Sequence, residues 1–125
     1  MSDVEVVKSQ PDDRRRFERV DVSYESHVLV LEKGKKVGTL RQIARGGFMM
    51  EPDKGFKKGK KHALVISDAA EGVQAQVKVV VRYADSRYVG FEFEGLDAET
   101  AVNIGIIMGA YYDRDNAAKM VTAKQ

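Results

Sequence analysis

Four of the six residues at positions 14–19 are arginine: Arg14, Arg15, Arg16 and Arg19, interrupted by Phe17 and Glu18. A guanidinium is planar and permanently charged, and it binds two phosphate oxygens at once through parallel N–H groups. Its face also stacks on a purine ring. Arg15 and Arg19 are four positions apart and Arg16 and Arg19 three, so one turn of chain aims several guanidiniums at one target. Phe17 offers the segment an apolar anchor. Phosphate recognition is the chemistry this set can perform. The alternative is a solvated basic arm, and the residue types alone leave both open.

A second candidate is "RQIARGGFMM", residues 41–50, where Gly46 and Gly47 separate two apolar, strand-like runs and Arg41 and Arg45 lie beside them. The glycine pair is expected to form a turn with positive φ. Its functional reading is a backbone bare enough for a ligand to come close, with N–H groups available to an anion. A third candidate, "KGFKKGKK" at 54–61, carries five lysines. It reads either as a solvated loop or as a contact for an anionic membrane or acidic partner, each lysine contributing about 1 kcal/mol near such a surface. His27 and His62 are the only histidines and lack ligand spacing, and cysteine is absent, so no metal or cofactor is expected. Nucleophile elbow, phosphate-binding P-loop and acid–base pair are all missing. The chain is not expected to be an enzyme.

These residues need a scaffold. A chain of 125 residues is the size of one domain with its own core. A net charge of +2 is small for a general nucleic-acid binder, so the positive field must be local and no nucleic acid polymer is expected as partner. Single-stranded nucleic acid on a barrel face is disfavoured further by the lack of spaced exposed aromatics. Residues 1–13 are polar and aperiodic and read as a flexible, mobile N-terminal arm. They lack the basic and apolar regions of a secretory signal, and no run approaches the roughly 20 apolar residues of a membrane span. A cytoplasmic protein without membrane insertion is expected.

The middle of the chain alternates as strands do. Strands are expected at 20–31, with Val20, Val22, Tyr24, Val28 and Val30 on one parity, and at 37–44, 47–51 and 62–67. The clearest is 73–84, where Val73, Ala75, Val77, Val79, Val81 and Tyr83 alternate with polar residues, and a last strand covers 88–94. The period then changes. Ala101, Ile104, Ile107, Met108 and Tyr111 fall at helical spacing over 96–120, behind a candidate N-cap at Asp97, with Glu99 suited to the positive end of the helix dipole. Gly105 and Gly109 each weaken a helix by about 1 kcal/mol and form a flat strip suited to close packing. Six short strands and a helix imply a mainly β protein: a six-stranded antiparallel β-barrel with a C-terminal α-helix across one opening. The expected division is an arm at 1–13, the barrel domain with its helix at 14–113 and a polar tail at 114–125.

RxxxR through Arg15 and Arg19, a glycine pair 27 residues later in "QIARGG", and "YVGFEFEGLD" at 88–97, in that order, resemble the PilZ domain. This is a bacterial module that binds the second messenger cyclic di-GMP on a six-stranded barrel with a C-terminal helix. The resemblance implies that Arg15 and Arg19 hold phosphates and guanine faces, with Arg16 assisting. It places Gln42 at the family's Asp/Asn position, Ala44 at its serine and Gly47 at its final glycine. Arg45 and Gly46 lie within the same motif. Tyr83 falls where relatives often carry a base-stacking aromatic, although its parity groups it with the core. Gln42 and Ala44 depart from the pattern: one charged and one neutral hydrogen bond are lost, about 2–4 kcal/mol in all. The resemblance thus implies a cyclic di-GMP receptor relaying its signal to a protein partner. The alternative is an adaptor that no longer binds the nucleotide and acts through protein contacts alone.

Overall fold

Valine-rich alternation builds the sheet. The structure, a computed structural model, describes residues 19–23 and 27–124, with side chains of the C-terminal helix described as far as Tyr112. Its strands are β1 (Val20–Asp21), β2 (Leu29–Glu32), β3 (Lys35–Ile43), β4 (Gly47–Pro52), β5 (Lys61–Asp68), β6 (Val73–Ala84) and β7 (Val89–Phe93), and they are followed by the helix α1 (Ala98–Lys124). All neighbours are antiparallel, in the order β3-β2-β5-β6-β7-β4, and a β3–β4 pairing closes the ring. This is the six-stranded barrel expected from the alternation. Closure removes the exposed edges of an open sheet.

The strand expected over 20–31 is split. β1 and β2 follow one another along the same side of β3, Val20 opposite Ile43 and Leu29 opposite Thr39. Val22 N donates to Arg41 O, and Leu40 N to Val28 O, which keeps the path continuous in space. His27, with φ 53°, marks the break. Val20, Val22, Val28 and Val30 all point into the core; Tyr24 lies outside the described residues. The turn joining β2 to β3 is only Lys33–Gly34, both at positive φ (52° and 81°). This is the backbone a two-residue hairpin needs to match strand twist.

β6 follows its sequence parity as far as Val81: Ala75, Val77, Val79 and Val81 are buried, while Gln74, Gln76 and Lys78 are exposed. A bulge follows. Val81 pairs with Phe91 but Tyr83 with Gly90, so β6 spends two residues where β7 spends one. The extra residue reverses the parity, and Tyr83, expected inside, is 53% exposed.

The helix begins as expected. Asp97 Oδ1 accepts from Thr100 N at 2.8 Å. That bond holds the Asp97 carboxyl below its usual range. Ile104, Ile107, Met108 and Tyr111 are buried and join the barrel core, whereas Ala101 is exposed. Asn103 Nδ2 donates to Gln74 O at 3.1 Å, tying α1 to β6. The helix continues to Lys124, past the end expected at 120. Among the described residues no helix is long and apolar enough to cross a membrane.

The lysine loop between β4 and β5 is tied down. Lys54 Nζ lies 2.8 Å from Glu32 Oε1 and Lys36 Nζ 3.4 Å from Asp53 Oδ2, joining the loop to the β2–β3 hairpin. His62 Nδ1 is 2.8 Å from Glu32 Oε2. Phe56 packs edge-on against His62 and Phe91. Lys57, Lys58 and Lys60 remain exposed.

Candidate functional site

The motif residues that the structure describes gather at one end of β3. Val20 and Val22 are buried, so the residues alternating with them, Arg19 and Asp21, face outward and are exposed. Asp21 pairs directly with Gln42 of β3. Gln42 faces outward because its neighbour Ile43 is buried, and its Nε2 donates to Asp21 Oδ1 at 3.1 Å. Beyond Ile43 the chain turns: Ala44 N donates to Gly47 O at 2.8 Å, and Arg45 and Gly46 stand exposed at the tip. Gly46 O accepts from Phe93 N at 2.9 Å, fastening the turn to the end of β7. Arg15 and Arg16 lie outside the described residues, as do Arg14, Phe17 and the arm at 1–13.

The glycine pair departs from expectation. Neither Gly46 nor Gly47 has positive φ, so the turn makes no left-handed demand. Gly47 is required for a different reason. A Cβ there would stand 2.0 Å from Phe91 O, inside the β4–β7 backbone contact. At Gly46 a Cβ would meet nothing within 4 Å. Gly47 is therefore a packing residue, and Gly46 is the one whose bare backbone faces open space.

Arg41 is turned away from this end. A bulge between Leu40 and Gln42 displaces it, and its Nε lies 3.9 Å from Glu51 Oε2 on β4. Arg45 instead borders a cleft of about 460 Å³ between barrel and helix, whose walls include Val20, Leu96, Ile104 and Met108. Gly105 and Gly109 line the same cleft, and a Cβ on either meets nothing within 4 Å. The glycine strip expected to pack closely faces this open space.

Tyr83 is not brought to the cluster. Gly47 pairs with Glu92 of β7, whereas Tyr83, one strand further on, pairs with Gly90 toward the opposite end. Its hydroxyl donates to Asp85. Asp85 Oδ1 also accepts from Arg87 N and Tyr88 N, both at 2.8 Å, closing the β6–β7 turn. The Tyr83 hydrogen bond is the main cause that lowers the Asp85 carboxyl, and Asp85 in turn raises the Tyr83 hydroxyl. No group of three or more metal-ligating side chains occurs among the described residues.

Asp21 is the residue that sequence reasoning passed over. Its signal was parity: two positions after Arg19, on the polar face of a strand singled out only for its valines. Its pairing with Gln42 depends on a register between distant segments.

The comparisons with known proteins agree with this fold. The model of the PilZ domain matches residues 13–106. The fold is similar to the PilZ domain with c-di-GMP of YcgR from Escherichia coli, with a TM-score of 0.64 and 10% identity over 82% of this chain and 93% of that one. It is also similar to an uncharacterized Legionella protein, with a TM-score of 0.58 and 9% identity over 78% and 97% of the two chains. The Bacillus subtilis inhibitor of motility MotI gives a TM-score of 0.57 and 18% identity over 80% of this chain and 50% of that one. At such identities the structural likeness establishes the fold. None of the curated proteins matches the chain in sequence.

Proposed function

The chain belongs to the PilZ domain family, and from that premise we propose that it is a cyclic di-GMP receptor rather than an enzyme. Arg15, Arg16 and Arg19 would grip the phosphates and guanine faces against the turn at Arg45, Gly46 and Gly47. The observation that carries this reading is the convergence of Arg19, Gln42, Arg45 and Gly46 at the β1–β3–β4 end of the barrel, where Arg19 and Arg45 are both exposed. Binding would draw the arginine segment onto the barrel and present a changed face to a protein partner, in the cytoplasm of a bacterium. An ordering segment of this kind is a recognised form of switch. Tyr83, held by Asp85 near the other end of β7, is the member of the set least suited to stack on the ligand without rearrangement.

The adaptor alternative draws on three observations. The Gln42 amide is engaged by Asp21, Ala44 has no hydroxyl, and Gly47 is accounted for by packing. Calorimetric titration with cyclic di-GMP separates the two. A receptor gives saturable heat. Absence of heat at high micromolar ligand and low salt leaves the adaptor. Amide spectra of residues 1–18 recorded with and without ligand supply the second measurement: they shift in a receptor and stay unchanged in an adaptor.

A further inference from the structure

We propose that Asp21 supplies the carboxylate that reads the guanine edge, with Gln42 as its positioning residue. The assignment rests on the cyclic di-GMP reading above and names its specificity determinant. At the motif position where the family carries Asp or Asn, Gln42 presents one neutral oxygen and an NH₂. That NH₂ is itself a donor and cannot accept the N1–H and N2–H of guanine. In the structure the donor is turned onto Asp21 Oδ1 at 3.1 Å. Asp21 is the direct cross-strand partner of Gln42, so its carboxylate stands beside the position where an acceptor is missing.

A carboxylate has about four lone-pair sites, and Gln42 occupies one. Asp21 is exposed and shares its face with Arg19 two residues earlier. One short segment thus presents a cation for phosphate and an acceptor for the base. Three other carboxylates of the barrel are committed to cations: Glu51 to Arg41, Glu92 to Arg82 at 2.5 Å and Glu94 to Lys61 at 3.3 Å. Asp21 is held by a neutral donor, which fixes its orientation while leaving its charge available. A carboxylate with no base to read would only repel a dianionic ligand, so the sign of its removal is diagnostic.

The test is calorimetric titration of the full chain with cyclic di-GMP and with cyclic di-inosine monophosphate, which lacks the 2-amino group. The wild-type chain prefers the guanine ligand by about tenfold or more, the strength of one hydrogen bond to a charged acceptor. Asp21→Asn and Asp21→Ala weaken cyclic di-GMP binding by about ten- to a hundredfold and collapse that preference toward unity, with an unchanged melting temperature. Arg19→Ala weakens both ligands and leaves the preference intact. Gln42→Ala produces a smaller loss of both affinity and preference than Asp21→Ala. If the Asp21 variants bind as well or more tightly and keep the preference, the assignment is overturned while the receptor reading stands. If the wild-type chain binds neither ligand, the receptor reading falls, and the assignment falls with it.

Discussion

Gly46 and Gly47 are neighbours with different tasks, and single methyl groups separate them. Gly47→Ala drives a Cβ into Phe91 O, so it should destabilise by about 3 kcal/mol, seen as a lower urea midpoint. Gly46→Ala meets open space at an ordinary backbone angle and should change stability by less than about 0.5 kcal/mol. If the ligand lies over this turn, Gly46→Ala nonetheless weakens cyclic di-GMP binding, a loss visible by titration in a fully folded protein. From sequence the pair looked like one feature, because nothing local reveals that β7 passes within contact of one glycine and not the other. Glu32 provides a residue-scale test of stability. Its hydrogen bond to Lys54, and then that to His62, hold its carboxyl below the ordinary 4.5. Its contribution is therefore fully present above pH 4.5 and is lost as pH falls through the lowered folded-state value. Glu32→Gln should reduce stability at neutral pH and flatten the acid decline, measured as urea midpoint against pH.

Secondary-structure elements were legible wherever one side of the chain is buried without interruption. β6 could be read from Val73 to Val81 because alternation there records the core face directly. The reading failed two residues later. A bulge is a mismatch between two strands, and β6 carries no local mark of its partner spending fewer residues. The same limit hid the division of β1 from β2, although all four valines of that stretch were assigned to the correct side. The α1 face from Ile104 to Tyr111 was recovered from spacing alone; the cleft beside Gly105 and Gly109 was not, since it depends on how far the helix stands from Val20 and Arg45. The hairpin joining β2 to β3 offers an element-scale prediction. Lys33 adopts φ 52° before Gly34 at 81°, a conformation that disfavours a lysine by about 1 kcal/mol. Lys33→Asn supplies the residue this turn type prefers and should raise the melting temperature measured by circular dichroism.

At the scale of the whole molecule, the barrel keeps its charged regions apart. The β1–β3–β4 end carries Arg19, Arg45 and Asp21, while the lysine loop sits at the other end, partly neutralised through Lys36–Asp53, Lys54–Glu32 and Lys61–Glu94. A net charge of +2 leaves little general attraction for anions. In the proposed receptor, ligand capture must therefore come from the local arginine set, and cyclic di-GMP affinity should fall as salt is raised across the range in which the Debye length shrinks from about 30 Å to about 8 Å. The helix and barrel share one core; in the proposed receptor the arginine segment is the part that responds to the ligand. The most direct measurement is calorimetric titration of the Arg15→Ala/Arg19→Ala double variant beside the wild-type chain, with matched melting curves. Saturable binding of cyclic di-GMP by the wild type and its loss in the double variant is the expected result; equal binding by both proteins would contradict it.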